Sequence, residues 1–257
     1  MPPPNKINLG PRTRAILSDA VWSEKSFFPA HQSWADEFER ILAFLEAQGQ
    51  FERFYRRLCA RERDGALAEA RAGFYFHRNG FKILKWEPEA VPRVPGDIEI
   101  AWRNTEAIFL EVKNPGWEGE LSEEEINTGR TELPKHIKGG EGRSIDSVER
   151  VLYVMYKALP KFNATRINLI VVVDDLFVSP VELPADILAA RIANEIINPK
   201  YASVSGVFLL NPISYGPEVE YRTFFVAGKG KPLPGLVEGT FLEENKRSKF
   251  SQRLRCY

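Results

Sequence analysis

Cysteine is nearly absent: only Cys59 and Cys256 occur, far apart in the chain. Two such distant thiols make no disulfide framework and have no metal-ligand spacing, so a reducing, cytoplasmic setting is expected. Histidine is equally sparse, and His31, His77 and His136 have no zinc-site spacing. Charge of one sign is lacking too. Lys plus Arg number 35 and Asp plus Glu number 35, which excludes a global electrostatic pull toward nucleic acid. Apolar runs are too short to span a bilayer, and Met1-Pro2-Pro3-Pro4-Asn5-Lys6 has no apolar signal region, so neither a membrane span nor a secretory leader is expected. No internal repeat, phosphate-cradling glycine loop, nucleophile elbow, helix-turn-helix or zinc finger is evident.

What remains is ordinary globular material. With 44% apolar and 27% charged residues over 257 positions, the chain can bury a sizeable core without staples. Residues 1–32 read as irregular. A helix follows, with Ser33 as its cap, Trp34, Phe38, Ile41, Leu42 and Leu45 as its apolar stripe, and Gly49 marking its end. A second helix over 51–63 carries Phe51, Phe54, Tyr55 and Leu58 on one face and Arg53, Arg56, Arg57, Arg61 and Arg63 on the other. That basic face reads first as solvated, and alternatively as phosphate-contacting. A third helix is expected over 65–79, ended by Gly80. Strands follow at 81–86, 94–102 and 108–113, then a long polar, glycine-rich segment over 114–144. A helix at 145–159, an almost wholly apolar strand at 167–173 ended by Asp174-Asp175, a helix at 185–197 and strands at 207–210 and 221–226 complete the pattern. From Lys246 the tail is basic without an acid.

The chemistry concentrates in one hairpin, Asp97-Ile98-Glu99-Ile100-Ala101-Trp102 and Ile108-Phe109-Leu110-Glu111-Val112-Lys113. A connection centred on Asn104 pairs Ile98 with Leu110 and Ile100 with Ile108, so the apolar residues share a face. A two-residue turn would set apolar side chains opposite polar ones, and the hydrophobic pattern argues against it. The favoured register also sets Asp97 opposite Glu111, with Lys113 beside them. Two opposed carboxylates repel, and a divalent cation with hard oxygen ligands, Mg²⁺ or Mn²⁺, would offset this. Metal and ammonium together suit phosphodiester hydrolysis. The plain alternative is a hairpin with one solvated polar face.

Asp97 with Glu111-Val112-Lys113 resembles the PD-(D/E)xK nuclease superfamily, although Pro95-Gly96-Asp97 replaces the strict Pro-Asp pair. Glu69, on a helix followed by Gly80-Phe81, resembles the glutamate that family members carry ahead of the sheet, with Glu62 as a substitute. The resemblance implies a restriction-endonuclease-like α/β fold: a mixed central sheet flanked by helices. It would have an N-terminal helical extension (1–64), a nuclease-like core with C-terminal additions (65–240) and a basic tail (241–257). It implies a Mg²⁺- or Mn²⁺-dependent nuclease, expected to be a DNA endonuclease of restriction or repair type. Asp97, Glu111 and the Val112 carbonyl would ligate metal, Lys113 would orient water or stabilise charge, and Glu69 would be accessory. Because the 114–144 segment follows Lys113 directly, its Asn114, Arg130, Lys135 and Lys138 would contact substrate phosphates if it lies over the site, the alternative being a disordered surface insertion. By family analogy a homodimer would suit double-strand cutting. Two other functions fit the sequence: a nuclease-fold module that binds nucleic acid or a protein without cleaving, and an unrelated α/β enzyme whose chemistry lies in 114–144.

Overall fold

The computed structural model describes residues 7–21, 32–60, 63–115, 147–173, 185–213 and 217–247. Asp174-Asp175, most of the 114–144 segment, Arg61, Glu62 and the tail beyond 247 lie outside them. The chain divides into two compact units. Among the described residues, the first holds those up to Ala70 together with 213 and 217–220, and the second holds the remainder.

In the first unit, α1 (Pro11–Asp19) packs on α2 (Gln32–Ala47) and α3 (Phe51–Cys59). The predicted stripe of α2 is buried throughout: Trp34, Phe38, Ile41, Leu42 and Leu45 all face inward. Gly49 ends α2 in the left-handed conformation, φ 67°, and the amides of Gly49 and Gln50 bond back to the carbonyls of Glu46 and Leu45. Ser33 lies buried within the first turn rather than at the cap, because the helix starts at Gln32. The sequence also misleads at α1, where irregular chain is expected. The α1 N-terminus is held by a distant side chain. Glu39 of α2 accepts from the amides of Arg12 (3.3 Å) and Thr13 (2.9 Å) and from the Thr13 hydroxyl (2.8 Å).

Helix α4 (Arg63–Arg78) continues from one unit into the other and ends at Gly80, φ 84°. The second unit is built on a six-stranded sheet, in the order β1 (Phe81–Trp86), β4 (Ile98–Trp102), β5 (Ile108–Lys113), β6 (Ile167–Val173), β7 (Gly206–Ile213), β8 (Glu220–Ala227). The β1–β4 and β4–β5 pairs are antiparallel, and β5–β6 and β6–β7 are parallel. The fold is therefore α/β with a mixed sheet flanked by helices. One sheet face carries Phe109, Ile170, Val172, Val207 and Leu209. They pack with Val151, Met155 and Ala158 of α5 (Ser147–Ala158) and with Ile192 and Ile196 of α6 (Ala185–Ile196). On the other face Phe81, Phe208 and Phe225 meet Tyr75 and Phe76 of α4 and Phe241 of α7 (Gly235–Arg247). Helix α7 has no counterpart in the sequence reading and takes in Lys246 and Arg247 of the expected tail. Its apolar residues are split, with Val237 and Phe241 buried and Leu236 and Leu242 exposed, so it shows no clean stripe.

The strand expected over 94–102 is two strands. β3 (Val94–Pro95) pairs with β2 (Glu89–Val91) in a separate small ribbon, and the chain turns at Gly96-Asp97 before β4. Gly96 donates to the Pro88 carbonyl (2.8 Å), away from β5, and its backbone lies against the Phe109 ring. A Cβ there would sit 2.0 Å from Phe109 Cζ.

Candidate metal centre

The site lies where β4 begins and β5 ends. The observed β4–β5 register pairs Ile98 with Leu110, Glu99 with Phe109 and Ile100 with Ile108, as the hydrophobic alternation requires. Asp97 sits one step before this ladder, in the bend that leads into β4. Its amide donates to the Leu110 carbonyl (3.3 Å), its carbonyl accepts from Glu87 (3.0 Å), and its Oδ2 accepts from the Val112 amide (2.6 Å). A residue's amide and carbonyl leave an extended strand on the same edge, so the Val112 carbonyl also lies on the Asp97 side.

Glu111 faces the layer of α5 and α6. Its parallel partner is Ile170, whose own partner is Val207, so the carboxylate stands in a row that is otherwise apolar. It is fully buried, and a charge there demands compensation. Two ammonium groups supply it. Lys113 Nζ lies 2.5 Å and Lys161 Nζ 2.7 Å from Glu111 Oε1, and Lys161 also lies 3.9 Å from Asp97 Oδ1. The other oxygen, Glu111 Oε2, is buried and has no hydrogen-bond partner among the described residues. Burial pushes the Glu111 carboxyl up to about 7, with the Asp97 charge adding to the rise and the two lysines opposing it.

The polar face of β4 holds a second acid, Glu99, but Arg166 closes it in an ion pair while lying over the Phe109 ring. Asn114 follows Lys113 and is half-buried, whereas Arg130, Lys135 and Lys138 lie outside the described residues. Glu69 belongs to the first unit. There it is buried, with Arg53 at 2.6 Å from one carboxylate oxygen and Arg57 at 2.5 Å from the other. Two members of the expected basic face of α3 thus point at an internal acid, while Arg56 is exposed.

Lys161 escapes the sequence reading. It lies fifty positions beyond Glu111, on the 3₁₀ turn Leu159–Lys161 that ends α5. The only local signal is Pro160, which marks where the helix stops and says nothing of what that end lies over.

The donor set is hard oxygen. Mg²⁺ commonly takes one or two protein carboxylates and keeps several waters, so Asp97 and Glu111, with an orphaned oxygen on Glu111, fit such an ion. Among the described residues, no group of three or more acidic, histidine or cysteine side chains stands together. Nor is any helix there long and apolar enough to cross a membrane.

No family model matches this chain, and no curated protein matches it. A solved structure with some similarity is "The structure of Pyrococcus Furiosus SfsA in complex with Ca2+", at 16% identity and a TM-score of 0.29. The match spans 62% of this chain and 60% of that one.

Proposed function

We propose that this protein is a divalent-metal-dependent nuclease that hydrolyses phosphodiester bonds, with DNA as the substrate. The observation that carries this reading is the meeting of Asp97 and Glu111 at the end of one strand pair, with Lys113 against them and Glu111 Oε2 buried without a donor. Asp97 Oδ1, Glu111 Oε2 and the Val112 carbonyl would hold Mg²⁺ or Mn²⁺. When bound, the ion polarises a phosphoryl oxygen and acidifies water. Lys113 is partly exposed and reaches its carboxylate from the strand end, so its ammonium can turn to orient water or to balance charge on the reacting phosphate. The Val112 amide fixes the Asp97 rotamer before any ligand arrives.

The test is cleavage of supercoiled plasmid and of single strands with Mg²⁺ or Mn²⁺. Asp97→Ala and Lys113→Ala are each expected to lose cleavage by about a hundredfold or more, at the scale of removing one electrostatic catalytic group. Asp97→Ala should unfold near the wild-type temperature, and Lys113→Ala below it but above the assay temperature, because Lys161 still faces the buried Glu111 carboxylate. Wild-type rates in either variant would defeat the assignment.

A second reading, a nucleic-acid-binding module without catalysis, is favoured by one observation. Lys113 and Lys161 set two ammonium groups against the two carboxylates, Lys161 reaching both. Nucleic-acid binding without cleavage, unaffected by Mn²⁺, would select it.

A further inference from the structure

The nuclease reading does not use Lys161, yet this residue makes the contact that bridges both acids. Its backbone is placed by other means. Ala158, the last residue of α5, is buried in the core, and Phe162, which follows Lys161, packs edge-on against Phe109 with ring centroids 6.0 Å apart. The Phe162 amide closes the turn on the Leu159 carbonyl (3.1 Å). The side chain itself is 28% exposed, so water is within reach of its ammonium, and still that group sits 2.7 Å from the buried Glu111. Lys113 is tied to the same carboxylate by lying two residues from it on one strand. Lys161 instead spans from a separate turn into the space between Asp97 and Glu111, the space a shared divalent ion would fill.

We propose that Lys161 is the resident counter-cation of the Asp97–Glu111 pair, competing with a divalent ion for the same two carboxylates and displaced when that ion binds. The inference rests on the nuclease reading above, because it takes those two residues as the ligands. Its physical basis is charge. An ion of charge two cannot join two ammonium groups within about 4 Å at no cost, since like charges at that range repel strongly in a partly buried site. Lys161 has the flexible four-carbon stem and the solvent access that let it leave.

The experiment is calorimetric titration of the full chain with Mn²⁺, on wild type, Lys161→Met, Lys161→Arg and Asp97→Ala, with thermal unfolding of each. Methionine keeps the stem and removes the charge. Lys161→Met is expected to bind Mn²⁺ at least about tenfold tighter than wild type, and Lys161→Arg to bind like wild type. Affinity in Lys161→Met that is unchanged or weaker overturns the proposal. It leaves the nuclease reading standing if wild type binds and Asp97→Ala does not. Absence of Mn²⁺ binding in every protein removes the nuclease reading and this proposal together. Should Lys161→Met unfold at the working temperature, Lys161→Gln replaces it, with the same expectation and the same overturning result.

Discussion

Glu111 holds a carboxyl in a row of Ile170 and Val207, and its titration belongs to folding as well as to chemistry. Its folded value is raised from 4.5 to about 7 by burial first and the Asp97 charge second. The folded protein therefore holds this proton more tightly than the unfolded chain does. The resulting stabilisation is complete below the unfolded value and is lost as pH rises through about 7. Glu111→Gln removes that dependence. The difference in unfolding free energy between variant and wild type, from denaturant titrations at pH 4 and pH 8, should shift in favour of the variant by on the order of 3 kcal/mol. A difference independent of pH would show that Glu111 titrates normally. Residues of this kind are half legible in a sequence. The spacing of Glu111 and Lys113 on β5 gives their common face, because a strand has a fixed period, and the β4–β5 register brings Asp97 to the same end of the pair. Lys161 is silent, because its approach depends on where α5 ends over the sheet, and nothing local records that.

At the scale of elements, the strand pair β4–β5 was readable down to its register, since only one pairing buries Ile98, Ile100, Ile108 and Leu110 together. The break ahead of it was not. Val94 to Trp102 alternates well enough to look continuous, and the Phe109 ring, which occupies the place of a Gly96 side chain, comes from another strand. Helix α1 was hidden for a similar reason, its cap being a glutamate more than twenty residues away. Gly96→Ala is expected to destabilise the protein by about 1–3 kcal/mol, the usual cost of overpacking a core. By shifting Asp97 it should also weaken Mn²⁺ binding. Trimming the ring in Gly96→Ala/Phe109→Leu should recover part of both losses, giving a coupling energy measurable in a double-mutant cycle. Strict additivity would mean that the ring and the glycine act independently.

For the whole molecule, the division into two units gives Glu69 a decisive role. Its carboxylate is held by Arg53 and Arg57 within the first unit, which joins α3 to the start of α4. Removing it would leave two guanidinium groups without their common acid. Glu69→Ala is expected to lower stability by about 3 kcal/mol, as breaking a buried ion pair does. Mn²⁺ affinity, read by calorimetry on the folded protein, should stay within about twofold of wild type. Loss of Mn²⁺ binding with stability intact would instead return Glu69 to the accessory role that the family resemblance implies. The mixed sheet and its flanking helices follow from patterns that a reader of the sequence can find. The allocation of α4 to both units does not, because the helix runs on through the boundary without a break in its pattern.

The alignment of β4 with β5 is set by aliphatic side chains, and the acids merely travel with them. A single-codon exchange at Asp97 or Lys113 therefore leaves the aliphatic register untouched, and the strand pairing and the acid–ammonium cluster can drift independently of one another.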